Sequence, residues 1–274
     1  MLEKIKYVNS RNQIIESGTG YFYVNENDLR DYTWNYETNS NHIVSFNKDG
    51  VMQKSIDGYI IAENETLAND LKNNIFNIFE YDIINKLYGK LYIGKYYLNC
   101  FIVASKKSDY LKHKRILHFT LTIVTDINNW ILENKYSFNK NNELSSIMRD
   151  YKYDYKYDYY SNNINKIINN ETLISSNFKW IVYGSCVNPS IIIDGHVYNV
   201  NIELFDNERL EVDSKEKKIN IIKVNGDKVN VFNYRNRDSY IFELISSGIH
   251  YVSYSGLFNF DLILYSERSE PEWI

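Results

Sequence analysis

The sequence is poor in the residues that punctuate, staple or catalyse. It has 2 Pro and 2 Cys in 274 residues, and Cys100 and Cys186 lie far apart with no CxxC neighbour. That spacing suggests neither a zinc site nor a small disulfide framework, so both read as buried small side chains. No apolar run approaches the ~18 residues of a membrane-spanning helix, and Met1-Leu-Glu-Lys-Ile-Lys-Tyr7 lacks the apolar core of a signal peptide. The expectation is a soluble protein, made in the cytoplasm and without membrane contact. Neither charge sign dominates: the net charge is −4 and the pI near 5.8. A dedicated nucleic-acid binder normally carries a concentrated basic face, so direct recognition of nucleic acid is not expected.

Catalytic signatures are missing too. Gly184-Ser-Cys186 is the nearest approach to a Gly-x-Ser-x-Gly elbow, but it lacks the second glycine and reads as a turn. The histidines at 42, 113, 118, 196 and 250 are scattered, with no helical i, i+4 pair beside a glutamate. No glycine string cradles phosphate. Carboxylates are so numerous, at 35 Asp and Glu, that no pair singles itself out for glycosidase chemistry. The reading is a non-enzyme with no cofactor and no metal.

What the chain does have is aromatic and β-branched bulk. Hydrophobic residues make up 44% and aromatics 16%, with 26 Tyr. Such a composition favours strands over helices in a globular chain long enough for two cores. The abundance of Asn, Lys, Ile and Tyr points to an AT-rich genome.

Short strands are expected at Lys4 to Val8, Gly20 to Val24 and Ile43 to Phe46, the last before a Lys48-Asp49-Gly50 turn. From Glu63 the period changes. Leu67, Leu71, Ile75, Ile78 and Phe79 recur at three- and four-residue steps, predicting a helix capped by Asn64, with Asp82 marking its exit. Gly89 to Ala104 reads as a hairpin bent at Gly94-Lys95. Arg115 to Thr125 reads as a strand burying Leu117, Phe119, Leu121 and Ile123. Tyr151, Tyr153, Tyr155, Tyr157 and Tyr159 alternate with Lys and Asp. They form either an aromatic strip for a neighbour or sugar, or a half-buried strand with a solvated charged face, and the alternating charge favours the second. Ser161 to Glu171 reads as a polar approach to a domain junction.

Beyond Phe178 nearly everything reads as strand: Lys179 to Tyr183, Ile191 to Ile193 and His196 to Val200 around an Asp194-Gly195 turn, then Glu208 to Val212 and Lys218 to Val224. A hairpin at Asn225-Gly226-Asp227 and strands at Ile241 to Leu244, Ile249 to Tyr254 and Phe258 to Tyr265 complete the set. The expected class is mainly β, with an α+β first domain: two β-sandwich-type domains, residues 1–165 with one helix and a β-hairpin, and residues 166–274. A β-sandwich can stack sugar on an exposed aromatic, for which Trp180, Tyr198, Tyr234 and Trp273 are the candidates; each also suits a core or interface.

The last residues, Gly256 to Ile274, run a strand into Glu267-Arg-Ser-Glu-Pro-Glu-Trp273. In order with Asn27-Asp-Leu-Arg-Asp-Tyr-Thr-Trp-Asn-Tyr36, Phe79-Glu-Tyr-Asp-Ile83, Gly89-Lys-Leu-Tyr-Ile93, Tyr183-Gly184, Asn188-Pro189 and Asp194-Gly195, this block resembles the distal tail proteins of long-tailed phages and prophages. The resemblance covers most of the chain. It implies an N-terminal domain forming a sixfold ring, a galectin-like second domain, and a virion component at the tail tip or baseplate. Implied partners are other copies in a homohexamer, the tail tube protein, a tail-associated hydrolase or fibre-base protein, and a receptor-binding protein. At this length there is no room for the inserted carbohydrate-binding module of some relatives. The family's closing motif corresponds to Arg268, Glu270, Pro271 and Trp273, with roles expected to be structural: Arg268 pairing with Glu267 or Glu270, Pro271 fixing the backbone, Trp273 anchoring by burial. Leu67 and Leu71 on the helix and Tyr92 and Tyr96 in the hairpin are the expected ring interface. The alternatives in other classes are a carbohydrate-binding module of an adhesin and an accessory of a cell-wall hydrolase.

Overall fold

The computed structural model describes residues 3–18, 20–48, 50–108, 114–141 and 164–273. Its contacts divide the chain into two compact units, one reaching to Leu132 and resuming at Glu267, the other spanning Glu133–Ser266. The expected seam at 165/166 is therefore replaced by seams at 132/133 and 266/267. The tail motif belongs to the first unit rather than closing the second.

The first unit holds β1 (Ile5–Val8), β2 (Ile14–Glu16), β3 (Phe22–Asn27), β4 (Asn35–Asn39), β5 (His42–Asn47), β6 (Met52–Ile61), α1 (Glu65–Asn85), β7 (Gly89–Ile93), β8 (Tyr96–Ser108), β9 (Ile116–Thr125) and the start of β10 (Trp130–Phe138). The strands run β2-β1-β7-β8 on one side and β8-β9-β6-β3 on the other, with β8 long enough to serve both. Strand β9 buries Leu117, Phe119, Leu121 and Ile123 on one face, as its alternation predicts. Helix α1 packs on β8 and β6 through Ile75, Ile78 and Phe79. The Asn64 side chain accepts from the Leu67 N–H at 2.8 Å, the expected cap. The helix does not exit at Asp82. It continues to Asn85 and stops where Lys86 turns left-handed, at φ 55°.

The second unit holds the rest of β10, β11 (Ile164–Asn170), β12 (Asn177–Tyr183), β13 (Cys186–Val187), β14 (Ser190–Ile193), β15 (His196–Asn199), β16 (Glu203–Leu204), β17 (Arg209–Asp213), β18 (Lys218–Ile222), β19 (Lys228–Asn230), β20 (Gly248–Tyr254) and most of β21 (Asn259–Arg268). One sheet runs β19-β18-β17-β12-β21-β10 and a second β11-β20-β14-β15. Trp180, Val182, Phe260, Leu262 and Leu264 of the first share a core with Ile168, Ile191, Val252 and Tyr254 of the second, as in a sandwich. Phe138 and Phe260 stack at its centre, 4.4 Å apart.

Two segments depart from expectation. Residues 164–170, expected as a junction, pair along their whole length with β20. Ile241 to Leu244 is not a strand: Ile241 and Phe242 are buried within a turn, so their apolar character marks a plug and not a ladder. The Tyr151 to Tyr159 strip and His113 lie outside the described residues. Among the described residues no helix is long and apolar enough to cross a membrane.

Candidate assembly site

Both halves of the tail-protein resemblance meet at one guanidinium. Arg30, from the Asn27 to Tyr36 segment, donates to Glu3 Oε1 through Nε at 2.9 Å and Nη2 at 2.6 Å. Its Nη1 donates to the Pro271 carbonyl at 2.7 Å, and its plane lies 4.0 Å from the centre of the Trp273 ring. Arg30 is thus a clasp on the tail, with the planar, bidentate geometry that a lysine does not offer. Pro271 is buried, but Trp273 is 75% exposed. The expected anchoring by burial is therefore replaced by stacking on Arg30. Arg268 pairs with neither Glu267 nor Glu270: its Nη1 reaches Glu272 and the Tyr96 hydroxyl, the latter at 3.3 Å. Glu267 instead accepts from Asn129 at 3.0 Å, and Glu270 is half-buried.

The four expected interface residues separate. Tyr96 is buried and belongs to the tail clasp through Arg268. Tyr92 is half-buried, with the Lys6 ammonium 4.4 Å from its ring centre. Leu71 leans on the unit's core and Leu67 is half-buried at the capped end of the helix.

A second knot ties the helix to the first strand. Asp82, fully buried, accepts from the Tyr7 hydroxyl at 2.6 Å and from the Ser10 N–H and hydroxyl at 2.9 and 2.6 Å. Burial, then the bond to Asp82, drives the Tyr7 phenol well above its ordinary range. Gly89 makes room for this knot, since a Cβ there would sit 2.0 Å from the Tyr7 hydroxyl.

In the second unit Asp261 accepts from Tyr183 and Ser137, both at 2.6 Å, and from Lys135 at 2.7 Å. Burial pushes its carboxyl up, but Lys135, Ser137 and Tyr183 together outweigh that and hold it below the usual range. Asp194, at φ 47° in the turn with Gly195, accepts from the Tyr251 N–H at 2.8 Å and faces Nδ1 of buried His250 at 2.6 Å. These two bonds, the backbone one first, hold it low as well. Trp180 and Tyr198 are buried at 0% and 2% exposure, so neither can stack sugar; Tyr234 is exposed.

Ser108, His118 and Asp57 come together on the outer face of β8, β9 and β6, with Ser108 Oγ 2.5 Å from Nδ1 and Asp57 Oδ1 2.9 Å from Nε2. Thr120 donates to the same carboxylate at 3.0 Å. The cluster lies across a sheet face and not on a nucleophile elbow, which makes it a polar ladder. Among the described residues no three of His, Cys, Asp and Glu gather as metal ligands.

The sequence matches no family model and no curated protein. Solved structures do match along the whole chain. A chain of the phage P2 baseplate in its activated conformation with calcium aligns with a TM-score of 0.64 at 14% identity, covering 99% of this chain and 100% of that one. The fold is that of a phage baseplate protein. The phage SPP1 Dit protein, described as a paradigm of hub adsorption apparatus in phages infecting Gram-positive hosts, aligns with a TM-score of 0.54 at 12% identity, covering 98% and 100%. Within this baseplate fold the Arg30 clasp and the Asp82 knot are what sequence reading missed. Arg30 stands inside a segment noted for its resemblance, yet its partner Pro271 is 241 residues away.

Proposed function

We propose that the chain is a structural component of a phage or prophage tail tip or baseplate, acting in the virion as a hub and not as an enzyme. The observation that carries this reading is the end-to-end agreement of both units with baseplate and Dit chains. In this reading the first unit closes a homohexameric ring through α1 and the neighbouring hairpin, with Leu67, Leu71 and Tyr92 at the contact. The second unit is galectin-like. The ring joins the tail tube protein to a tail-associated hydrolase or fibre-base protein and to a receptor-binding protein. Each subunit then presents one face to a different face of the next, a heterologous contact that must close.

The test is solution mass, by size-exclusion chromatography with light scattering over a concentration series. A hexamer, or a monomer passing to hexamer as concentration rises, supports the hub. A monomer at every concentration removes autonomous ring formation from the reading.

A further inference from the structure

We propose that Lys48, Asn129 and Glu267 form an isopeptide site, at which the Lys48 amine and the Asn129 carboxamide join as an amide with loss of ammonia. All three residues belong to the first unit, and they come from distant parts of the chain. Lys48 directly follows β5, Asn129 directly precedes β10, and Glu267 lies at the end of β21. Lys48 Nζ donates to Asn129 Oδ1 at 2.9 Å, and Asn129 Nδ2 donates to Glu267 Oε2 at 3.0 Å. The carboxamide is thus held from both ends, its oxygen on the amine and its nitrogen on the carboxylate. An amine, a carboxamide and a carboxylate in that order are the parts that amide exchange needs: a nucleophile, an acyl group and a proton carrier.

The surroundings supply what the step requires. An amine attacks only when unprotonated, and burial pushes the Lys48 ammonium down by more than the charge of Glu267 restores. Trp34 walls one side of that amine, its ring centre 4.3 Å from Nζ. Asn128 Nδ2 donates to the Lys48 and Gly50 carbonyls at 2.5 and 2.9 Å, so adjacent asparagines hold the backbone and the side chain of Lys48 together. Trp130, next in the chain, is buried in the unit's core and roots this segment. The amine moves from the oxygen to the face of the carboxamide carbon, and the Nζ–Cγ bond forms. Glu267 takes a proton from Nζ and delivers it to Nδ2; the Cγ–Nδ2 bond breaks and ammonia leaves. Lysine ammonium and carboxamide become an amide and an ammonium ion, with no oxidant and no cofactor. The product ties together residues 81 apart and removes loop-closure entropy from the unfolded chain. It also fixes the foot of the β4–β5 hairpin to the body of the unit. This chemistry is independent of the hub reading.

The test is the intact mass of the purified full-length protein, followed by peptide mapping, with folding checked by thermal melting. We expect the wild type to lose ~17 Da, one ammonia, and to yield a branched peptide joining Lys48 to Asn129. Lys48→Arg and Asn129→Ala should give no branched peptide, and Asn129→Asp should lose water in place of ammonia. Glu267→Gln should slow the joining by about a hundredfold or more. A folded wild type that keeps its full mass after prolonged incubation overturns the site. So does the same loss mapped to another place, such as Asn225-Gly226, where succinimide formation also releases ammonia. Joining at the wild-type rate in Glu267→Gln overturns the role given to that carboxylate. The wild-type map decides the bond by itself where a variant fails to fold.

Discussion

The molecule contains two hairpins of similar length and opposite fate. The β14–β15 hairpin turns through Asp194 and Gly195, at φ 47° and 88°, and joins a four-stranded sheet with Tyr198 buried beneath it. Among the described residues the β4–β5 hairpin pairs only with itself, and its aromatics are exposed. Both have strand-forming residues, yet only the first has a core to cover and a clamp, Asp194 on Tyr251 and His250, to hold it there. Strand propensity makes a hairpin; a buried face makes it part of a fold.

The sharpest way to break the contrast is Tyr198→Ala. It removes a ring packed edge-on against Phe178 and a hydroxyl donating to the Glu243 carbonyl, and should cost about 3–5 kcal/mol in denaturant unfolding. A smaller loss, about 1–3 kcal/mol, is expected for Asp194→Ala, which strips buried His250 of its acceptor at Nδ1. Acid should act in the same direction. The Asp194 carboxyl is held low in the folded state, so its contribution is complete above the ordinary carboxylate pKa of about 3.9 and is lost as pH falls through the lower folded value. A melting series from neutral to strongly acid pH checks that sign by difference: Asp194→Asn should lose less on acidification than the wild type, the remaining fall coming from carboxylates such as Asp261. The smallest effect belongs to the other hairpin: Phe46→Ser should change folding stability by no more than about 0.5 kcal/mol, because the ring is already in water. A Phe46→Ser loss as large as that of Tyr198→Ala would erase the distinction between the two.

Much of this was legible where the signal is local. The alternation of β9, the Asn64 cap, the Gly94-Lys95 and Asp194-Gly195 turns and the α1 stripe each rest on spacings of a few residues, and all are present. The missed features join distant segments. Asp82 reads as a helix exit because the apolar stripe ends at Phe79, but its partner Tyr7 is 75 residues upstream. Trp273 reads as an anchor because tryptophan usually buries, whereas the tail is held by Arg30 acting on its backbone. Ile43 to Phe46 reads correctly as a strand, while the absence of any core beneath it is a property of the fold and not of the segment.

The first unit is built from residues on both sides of the second. During synthesis its sheets and helix emerge first, the whole of Glu133–Ser266 follows, and only then do Pro271 and Trp273 reach Arg30. A chain broken within the second unit carries Arg30 without the backbone it holds, so closure of the first unit requires the second to be continuous with it.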